Sequence, residues 1–166
     1  MEEIIIRSAT LEDVPVLLHF EQGLITAERP FDPTIRAGHV QYYNIPVMIT
    51  ADHIQLVVAE LDRVLIGCGY ARIEQTGRHY LTHTQHAYLG FMYTEPAHRG
   101  KGVNRMIIAA LEAWALERNI TEMTLEVYYD NKSAIRAYEQ AGFSSHQINM
   151  RKPIPTHTAA SVSGSG

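Results

Sequence analysis

Apolar and polar residues recur along this chain with two different periods, which predict a mixture of helices and strands. The clearest helix follows the segment HRGKGVNR (98–105), and its apolar stripe contains Val103, Ile107, Ala110, Leu111 and Trp114. A second helix is predicted over 10–24, with a stripe of Val14, Leu17, Leu18 and Glu21. Thr10 or Asp13 can cap it, and Pro15 favours Asp13 because proline is tolerated only in the first turn. Shorter helices are predicted near 34–43 and over 131–140, the latter ended by Gly142.

Strands are predicted where apolar and polar residues alternate with period two. They lie at 3–9, 86–94, 122–129 and 143–151, and a further two strands lie within 53–74, on either side of a turn at 61–63. The strand–helix–strand units in the second half imply some parallel pairing. The pattern predicts one α+β domain over 1–153, a three-layer arrangement with a mixed, twisted sheet of six or seven strands and about four flanking helices. The polar residues 154–166 are expected to form a mobile tail.

Composition narrows the classes of protein that fit. The chain has 166 residues and a net charge of −4, which gives no indication of nucleic-acid binding. Cys68 is the single cysteine, so no intramolecular disulfide forms and a reducing, cytoplasmic compartment is expected. The acidic N-terminus is unlike a signal peptide, and no run of about 18 apolar residues suggests a membrane span.

The glycine-rich segment at 98–105 follows a predicted strand and opens a predicted helix, a position where free N–H groups and the helix dipole favour an anion. Arg99, Lys101 and Arg105 add positive charge. The alternative is a glycine-rich connection that only starts a helix. A Walker loop is excluded because Glu95 stands where its first glycine belongs. The dinucleotide fingerprint fails because Arg105 replaces its last glycine.

Two segments carry a resemblance to a known family. GFMYTEPAHRGKGVNRMII (90–108) resembles the acetyl-CoA-binding segment of the GNAT N-acetyltransferases, whose signature is Gln or Arg, two residues, Gly, one residue, then Gly or Ala. Arg99 and Gly102 match the first two fixed points, and Asn104 departs from the third. LEVYYDNKSAIRAYEQAGF (125–143) resembles the strand, turn and helix that follow in the same family. The resemblance covers about residues 3 to 152.

The resemblance implies a fold of the GNAT type, acetyl-CoA as co-substrate, and direct attack of a primary amine on the thioester. The backbone of the glycine loop would bind the pyrophosphate, through Arg99, Gly100, Lys101, Gly102, Val103 and Asn104. The strand edge that would pair with the pantetheine arm consists of Phe91, Met92 and Tyr93. Asn131 would contact the cofactor, and Tyr138 would lie near its sulfur.

The chemistry of acetyl transfer requires a donor for the oxyanion and a proton for the departing thiolate. A backbone N–H near Met92 or Tyr93 suits the oxyanion. Tyr138 suits the thiolate, because a tyrosine with a pKa of about 10 holds its proton at pH 7. Its alternative role is an ordinary half-buried aromatic beside Ile135.

The base and the acceptor site are less defined. The candidate bases are Glu74, Glu126, Tyr88 and His86, and a water chain is the alternative to all four. Acceptor-binding candidates in the segment ITAERPFDP are Glu28, Arg29 and Asp32, with Arg29 suited to a carboxylate. Glu74, Tyr88 and Glu126 complete the predicted substrate-binding set, and the tyrosine pairs at 42–43 and 128–129 either line a pocket or pack.

His79, His83 and His86 have the spacing of one helix face, but His86 enters a predicted strand, so an exposed loop is favoured and no metal is expected. The sequence therefore predicts an N-acetyltransferase acting on a small-molecule or peptide amine, without nucleic-acid or membrane partners. A homodimer is left open. The alternatives are a non-catalytic acyl-CoA sensor and an enzyme for a longer acyl chain.

Overall fold

The computed structural model describes residues 3–157, which form one mixed sheet with helices on both faces. The strands are β1 (Ile5–Ser8), β2 (Ile54–Leu61), β3 (Val64–Gln75), β4 (Gln85–Thr94) and β5 (Met123–Leu125). They lie in the order β1-β2-β3-β4-β5, with antiparallel pairing except between β4 and β5. The α+β class and the mixed sheet are confirmed, while the described residues contain five strands rather than six or seven.

The helices are α1 (Val14–Glu28), α2 (Ile45–Thr50), α3 (Val103–Leu116) and α4 (Lys132–Gln140). Asp13 stands at the N-cap position of α1 and Pro15 lies in its first turn, as predicted, but the Asp13 side chain makes no capping hydrogen bond to this helix. A short 3₁₀ turn precedes it, in which the carboxylate of Asp13 accepts a 2.8 Å bond from the backbone N–H of Thr10. Arg7 donates to both oxygens of the same carboxylate, which ties β1 to the start of α1.

The helix predicted at 34–43 is wrong in position, because those residues form turns and α2 begins at Ile45. Asp32 accepts a 2.9 Å bond from the backbone N–H of Thr34, a local turn that competes with helix formation. The true start has its own signals, since Asn44 caps α2 and Pro46 lies in its first turn.

Two predicted strands also differ. The strand expected at 122–129 is limited to Met123–Leu125, and the strand expected at 143–151 is not part of the sheet. Of the predicted tail, residues 154–157 are irregular and exposed, and residues from 158 onward lie outside the described residues. No helix within the described part of the chain is long and apolar enough to cross a membrane.

The core lies on both faces of the sheet. On one face α3 buries Val103, Ile107, Leu111 and Trp114 against the sheet, and Tyr138 and Phe143 from the α4 region pack on the same cluster. On the other face α1 and α2 bury Leu17, Phe20, Ile45 and Met48 with Tyr70, Phe91 and Tyr93. This arrangement brings α1 and α4 to opposite faces of β4, around the point where β4 becomes irregular.

Candidate active site

A β-bulge interrupts β4 in the middle of the sheet. Cys68 pairs with Tyr93 and Tyr70 pairs with Gly90, so two residues of β4 stand opposite one residue of β3. Phe91 has φ +51, a left-handed conformation that costs roughly 1–2 kcal/mol in a residue other than glycine. Its ring is buried and stacks on Tyr43 with centroids 4.7 Å apart, so packing holds the strained backbone in place. Such bulges re-aim backbone groups next to active sites.

β4 and β5 separate just before the bulge. Their parallel pairing consists of Ala87 with Met123, Tyr88 with Thr124, and Leu89 with Leu125. From Gly90 onward, β4 has no strand partner on that side within residues 3–157. The two strands therefore open a gap beside Phe91, Met92 and Tyr93, the residues that the sequence predicted to bind the cofactor.

A cavity of about 90 Å³ lies at the top of this gap. Residues 90–92 of β4 line it together with residues from segments that are distant in sequence. The side chains that line it include Glu28 of α1, Tyr43, Tyr88, Glu126 and Tyr138 of α4. Four predicted residues, Glu28, Tyr88, Glu126 and Tyr138, thus meet around one space.

Tyr138 reaches the cavity because α4 is fixed at both ends. Asn131 caps the helix through a 3.2 Å bond from the backbone N–H of Ala134, and the Tyr138 ring packs edge-on against Phe143. Burial raises the pKa of Tyr138 to about 12, so its hydroxyl keeps its proton at neutral pH and can donate a hydrogen bond. Asn131, predicted to contact the cofactor, has its side-chain oxygen engaged in this cap.

Glu28 is an acidic residue of the cavity lining. Burial raises the pKa of its carboxyl. A hydrogen bond with Tyr42 partly opposes this rise, and the negative charge of nearby Asp32 adds to it. Burial likewise raises the pKa of the Tyr43 and Tyr88 hydroxyls. A half-buried carboxylate among neutral phenols attracts a cation and is a better proton acceptor than an exposed one.

Arg72 and Tyr70 are features that the sequence reasoning missed. The Arg72 guanidinium lies over two rings, with its central carbon 5.5 Å from the centroid of Tyr70 and 5.4 Å from that of Tyr88. It also donates to Glu74, whose other oxygen lies 3.2 Å from His86. The signal was present, because alternate residues of GYARIE place these side chains on one face of β3.

Glu74 and His86 therefore belong to a hydrogen-bonded network with Arg72 beside the cavity rather than to its lining. His83 pairs separately with Glu122 at 3.3 Å, and His79 packs on Tyr80. Within residues 3–157, no three His, Cys, Asp or Glu side chains are arranged to hold a metal ion.

Arg29 and Asp32 brace the segment after α1. The Arg29 guanidinium donates to the carbonyls of Arg36 and Gly38, and Asp32 binds Arg151 at 3.1 Å. Neither side chain lines the cavity.

Glu21 is a second feature missed from the sequence, although it lies on the apolar stripe of α1. Its side chain is fully buried, and one carboxylate oxygen accepts bonds of 3.0 and 2.9 Å from the backbone N–H groups of Tyr42 and Tyr43. Because Tyr43 stacks on Phe91, this carboxylate positions the ring that covers the bulge. An acidic residue on an apolar stripe was the available signal.

The predicted anion loop adopts the conformation that its glycines permit. Gly100 has φ +74 and Gly102 has φ +81, and a Cβ on either residue would meet nothing within 4 Å. The glycines are therefore needed for backbone conformation rather than for space. α3 begins at Val103, so its first N–H groups, which have no intrahelical acceptor, face the loop. Arg99, Lys101 and Arg105 are exposed around it.

A wider surface depression of about 480 Å³ lies between α1 and the loop. Tyr93 and Arg99 form one side of it, and His19 and Gln22 of α1 form the other. Along β4, the cavity, this depression and the glycine loop therefore follow one another.

Comparisons with known proteins agree with this geometry. Residues 23–143 match the model of the acetyltransferase (GNAT) family. The chain is 35% identical over 57 residues to an uncharacterized N-acetyltransferase, YycN, of Bacillus subtilis, covering 34% of the chain and 36% of that protein. It is 25% identical over 96 residues to an aminoglycoside N(6')-acetyltransferase type 1 of Salmonella typhimurium, covering 58% of the chain and 66% of that protein. The match thus spans less than two thirds of either curated relative.

The fold also resembles solved structures. One is a protein from Clostridium acetobutylicum, described as a predicted acetyltransferase and solved with acetyl-CoA. The TM-score is 0.65 at 20% identity, over 91% of this chain and 96% of that one.

Proposed function

The chain belongs to the acetyltransferase (GNAT) family, and we propose that it transfers an acetyl group from acetyl-CoA to a primary amine of a small, cationic acceptor. The observation that carries the proposal is the cavity at the β4 bulge. There a strained backbone, a protonated phenol and a half-buried carboxylate surround one small space.

The gap between β4 and β5 supports acetyl-CoA as the donor. An amide-rich pantetheine arm can add to the free side of β4 at 91–93 as an extra strand would. The loop at 99–104 lies at the N-terminus of α3, where backbone N–H groups and the helix dipole favour a pyrophosphate. The cavity of about 90 Å³ favours a short acyl group over a long one, because ligand pockets for larger molecules are several times this size.

Transfer then needs three groups. The backbone N–H of Met92, at the bulge, is our candidate donor to the oxyanion that forms when the amine attacks the thioester carbonyl. Tyr138 donates a hydrogen bond to the sulfur as negative charge develops there. Glu28 accepts the proton that the acceptor ammonium must lose before its nitrogen can attack, because burial raises the pKa of this carboxyl and makes the carboxylate a better proton acceptor.

The chemistry of the acceptor follows from the lining. Glu28 and Glu126 supply negative charge, and Tyr43 and Tyr88 contribute aromatic side chains to the same lining, while the charge of nearby Glu74 is paired with Arg72. Carboxylates with aromatic rings favour an ammonium ion. The aminoglycoside acetyltransferase named above acts, by its name, on molecules of this class, which supports a polar amine with several positive charges.

The first experiment is calorimetric titration with acetyl-CoA, followed by incubation with a panel of amines and mass spectrometry of the products. We expect binding of acetyl-CoA and acetylation of at least one polycationic amine. Binding without any acetylated product would favour the sensor alternative, and absence of binding would reject the cofactor assignment.

A pair of variants tests the proton acceptor. Glu28→Gln should lower kcat/KM at pH 7 by about 100-fold or more, and the loss should shrink as the pH approaches the pKa of the amine. The matched control is Glu112→Gln on the exposed face of α3, which should behave as the native protein does. A loss that is the same at every pH would contradict the base role.

A further inference from the structure

Arg72 is held in place by its neighbours on β3 and β4. Tyr70, Arg72 and Glu74 are alternate residues of β3, so their side chains share one face of the sheet. Both Nε and Nη2 of Arg72 donate to the same carboxylate oxygen of Glu74, at 2.9 and 2.6 Å. The other oxygen of Glu74 lies 3.2 Å from Nε2 of His86, its cross-strand partner. The guanidinium is therefore fixed by a carboxylate that is itself fixed.

The fixed guanidinium lies over two phenol rings. Its central carbon is 5.4 Å from the ring centroid of Tyr88, its cross-strand partner, and 5.5 Å from that of Tyr70. Side chains that stand opposite each other on one face of an antiparallel pair interact, and an aromatic ring attracts a cation placed over it. One side chain thus contacts a ring from each of the two strands that pair at the bulge.

Both rings belong to the surroundings of the cavity. Tyr88 lines it, and so does Gly90, the residue just before Phe91 at the bulge. The Tyr70 ring lies so close to Gly90 that a Cβ there would be 2.6 Å from the phenol oxygen. A shift of Arg72 would therefore loosen one ring in the cavity wall and a second ring that packs on the lining.

The wall that Arg72 supports lies on the acceptor side of the cavity. Along β4, Tyr88 comes before the bulge, whereas the segments proposed to bind the cofactor, 91–93 and 99–104, come after it. The side of Tyr88 is therefore left for the amine. Because Glu74 balances the charge of Arg72, the acceptor is affected by the position of the rings rather than by a net charge.

We propose that Arg72 is a positioning residue for the acceptor, which holds the Tyr88 ring in the wall against which the amine binds. The inference rests on the proposed function, because it assigns Arg72 to the acceptor half of that same site. Lysine is not equivalent here, because an ammonium lacks the planar fork that donates twice to Glu74 while it lies over two rings.

Steady-state kinetics with an amine that the panel identifies tests the proposal. In Arg72→Gln the acceptor KM should rise about 10-fold, while kcat changes by less than about threefold and the dissociation constant of acetyl-CoA by less than about twofold. Arg72→Lys should show most of the same rise. The matched control is Arg118→Gln, which removes a guanidinium 4.3 Å from the ring centroid of Trp114, and neither of these residues lines the cavity. It should leave all three quantities unchanged.

A double-mutant cycle shows whether Arg72 acts through Tyr88. Tyr88→Leu should raise the acceptor KM by itself. Adding Arg72→Gln to this variant should raise it by only about a further twofold, because the ring that Arg72 holds is gone. Two effects that simply multiply would overturn the proposal, because Arg72 would then act independently of the ring.

The sign of the change in KM separates two physical accounts. A KM that falls in Arg72→Gln would show that Arg72 repels the charge of the acceptor, and would overturn the positioning role. An unchanged KM, or an Arg72→Lys variant that behaves as the native protein does, would overturn it as well. If no amine of the panel is acetylated, the proposed function fails and the role of Arg72 fails with it, whereas acetylation with an unchanged KM rejects the role of Arg72 alone.

Discussion

Replacing Tyr138 with phenylalanine isolates the contribution of one hydroxyl to catalysis. The ring packs against Phe143 and phenylalanine can keep that contact, so the helix should be undisturbed. The pKa of Tyr138 is about 12 and that of a thiol is about 8.5. Complete proton transfer to the thiolate is therefore uphill by about 3.5 pKa units, or about 5 kcal/mol. The hydroxyl must act mainly as a hydrogen-bond donor to the developing charge.

A hydrogen bond to a charged group contributes about 1.5–3 kcal/mol, which corresponds to a rate factor of about 10 to 150. We therefore expect Tyr138→Phe to lower the single-turnover rate of acetyl transfer by that factor. The dissociation constant of acetyl-CoA should stay within about twofold, because the loss concerns charge that exists only in the transition state. Single-turnover kinetics with calorimetry measures both quantities.

The control for this experiment is Tyr129→Phe, at an exposed tyrosine just before α4 whose ring lies under the Lys132 ammonium. It should leave the rate unchanged. A Tyr138→Phe rate within twofold of native would refute the donor role. So would a native rate that declines with a pKa near 10, because that would indicate an unperturbed tyrosine.

Three further substitutions test the glycine loop, the buried carboxylate of Glu21 and the ion pair at the start of α1. Gly102→Ala should weaken acetyl-CoA binding about 10-fold, because a residue with a side chain pays roughly 1–2 kcal/mol to adopt φ +81. The control is Gly77→Ala, at a glycine outside the site with φ +64 and equally free space around it, which should leave binding unchanged. Equal dissociation constants for the two variants would contradict a phosphate-binding loop. Glu21→Ala should lower the melting temperature and raise the acceptor KM, because the backbone N–H groups of Tyr42 and Tyr43 lose hydrogen bonds to a carboxylate, at about 1–3 kcal/mol each. Glu21→Gln should retain most of both properties, and identical behaviour of the two variants would argue against this account. The Arg7 guanidinium lowers the pKa of the Asp13 carboxyl in the folded protein. The carboxylate therefore stabilises the fold above its unfolded pKa of about 3.9, and this contribution disappears as the pH falls through the lower folded pKa. The free energy of unfolding in urea, measured from pH 7 to pH 2, should depend less on pH in Asp13→Asn than in the native protein.

Local signals in the sequence were sufficient for most of the elements. The apolar stripe from Val103 to Trp114 predicted α3, and the position of Pro15 predicted the N-cap of α1. The helix expected at 34–43 failed because side-chain bonds from Arg29 and Asp32 hold that segment in turns. Such competition between local turns and helix is not visible in the apolar pattern.

Contacts between distant segments explain what the sequence did not predict. Alternation continues without interruption through β4, so nothing local reveals the bulge at Phe91. Gly69, across the sheet, leaves room for it, since a Cβ there would lie 2.5 Å from the sulfur of Met92. The strand at 143–151 has the right pattern but lacks a partner within residues 3–157, and pairing is a property of two segments.

The catalytic candidates, too, were predictable as single residues but not as a group in space. The sequence singled out Tyr138, Glu28 and Glu126 one by one, from a resemblance and from residue chemistry, and the cavity brings the three together. It did not separate Glu74, which pairs with Arg72, from the carboxylates that line the space. The signal for that pairing lay in the strand itself, because Arg72 and Glu74 are alternate residues of β3 and therefore lie on one face.

The burial of Cys68 has a practical consequence for finding the acceptor. It is the single cysteine of the chain, it is 0% exposed, and burial raises the pKa of its thiol. Every acetyl transfer releases one free thiol on CoA, while the folded chain offers none to a chromogenic reagent in solution. Colour development therefore counts turnovers against a blank background, so that large libraries of candidate amines can be screened in plates without labels or separation.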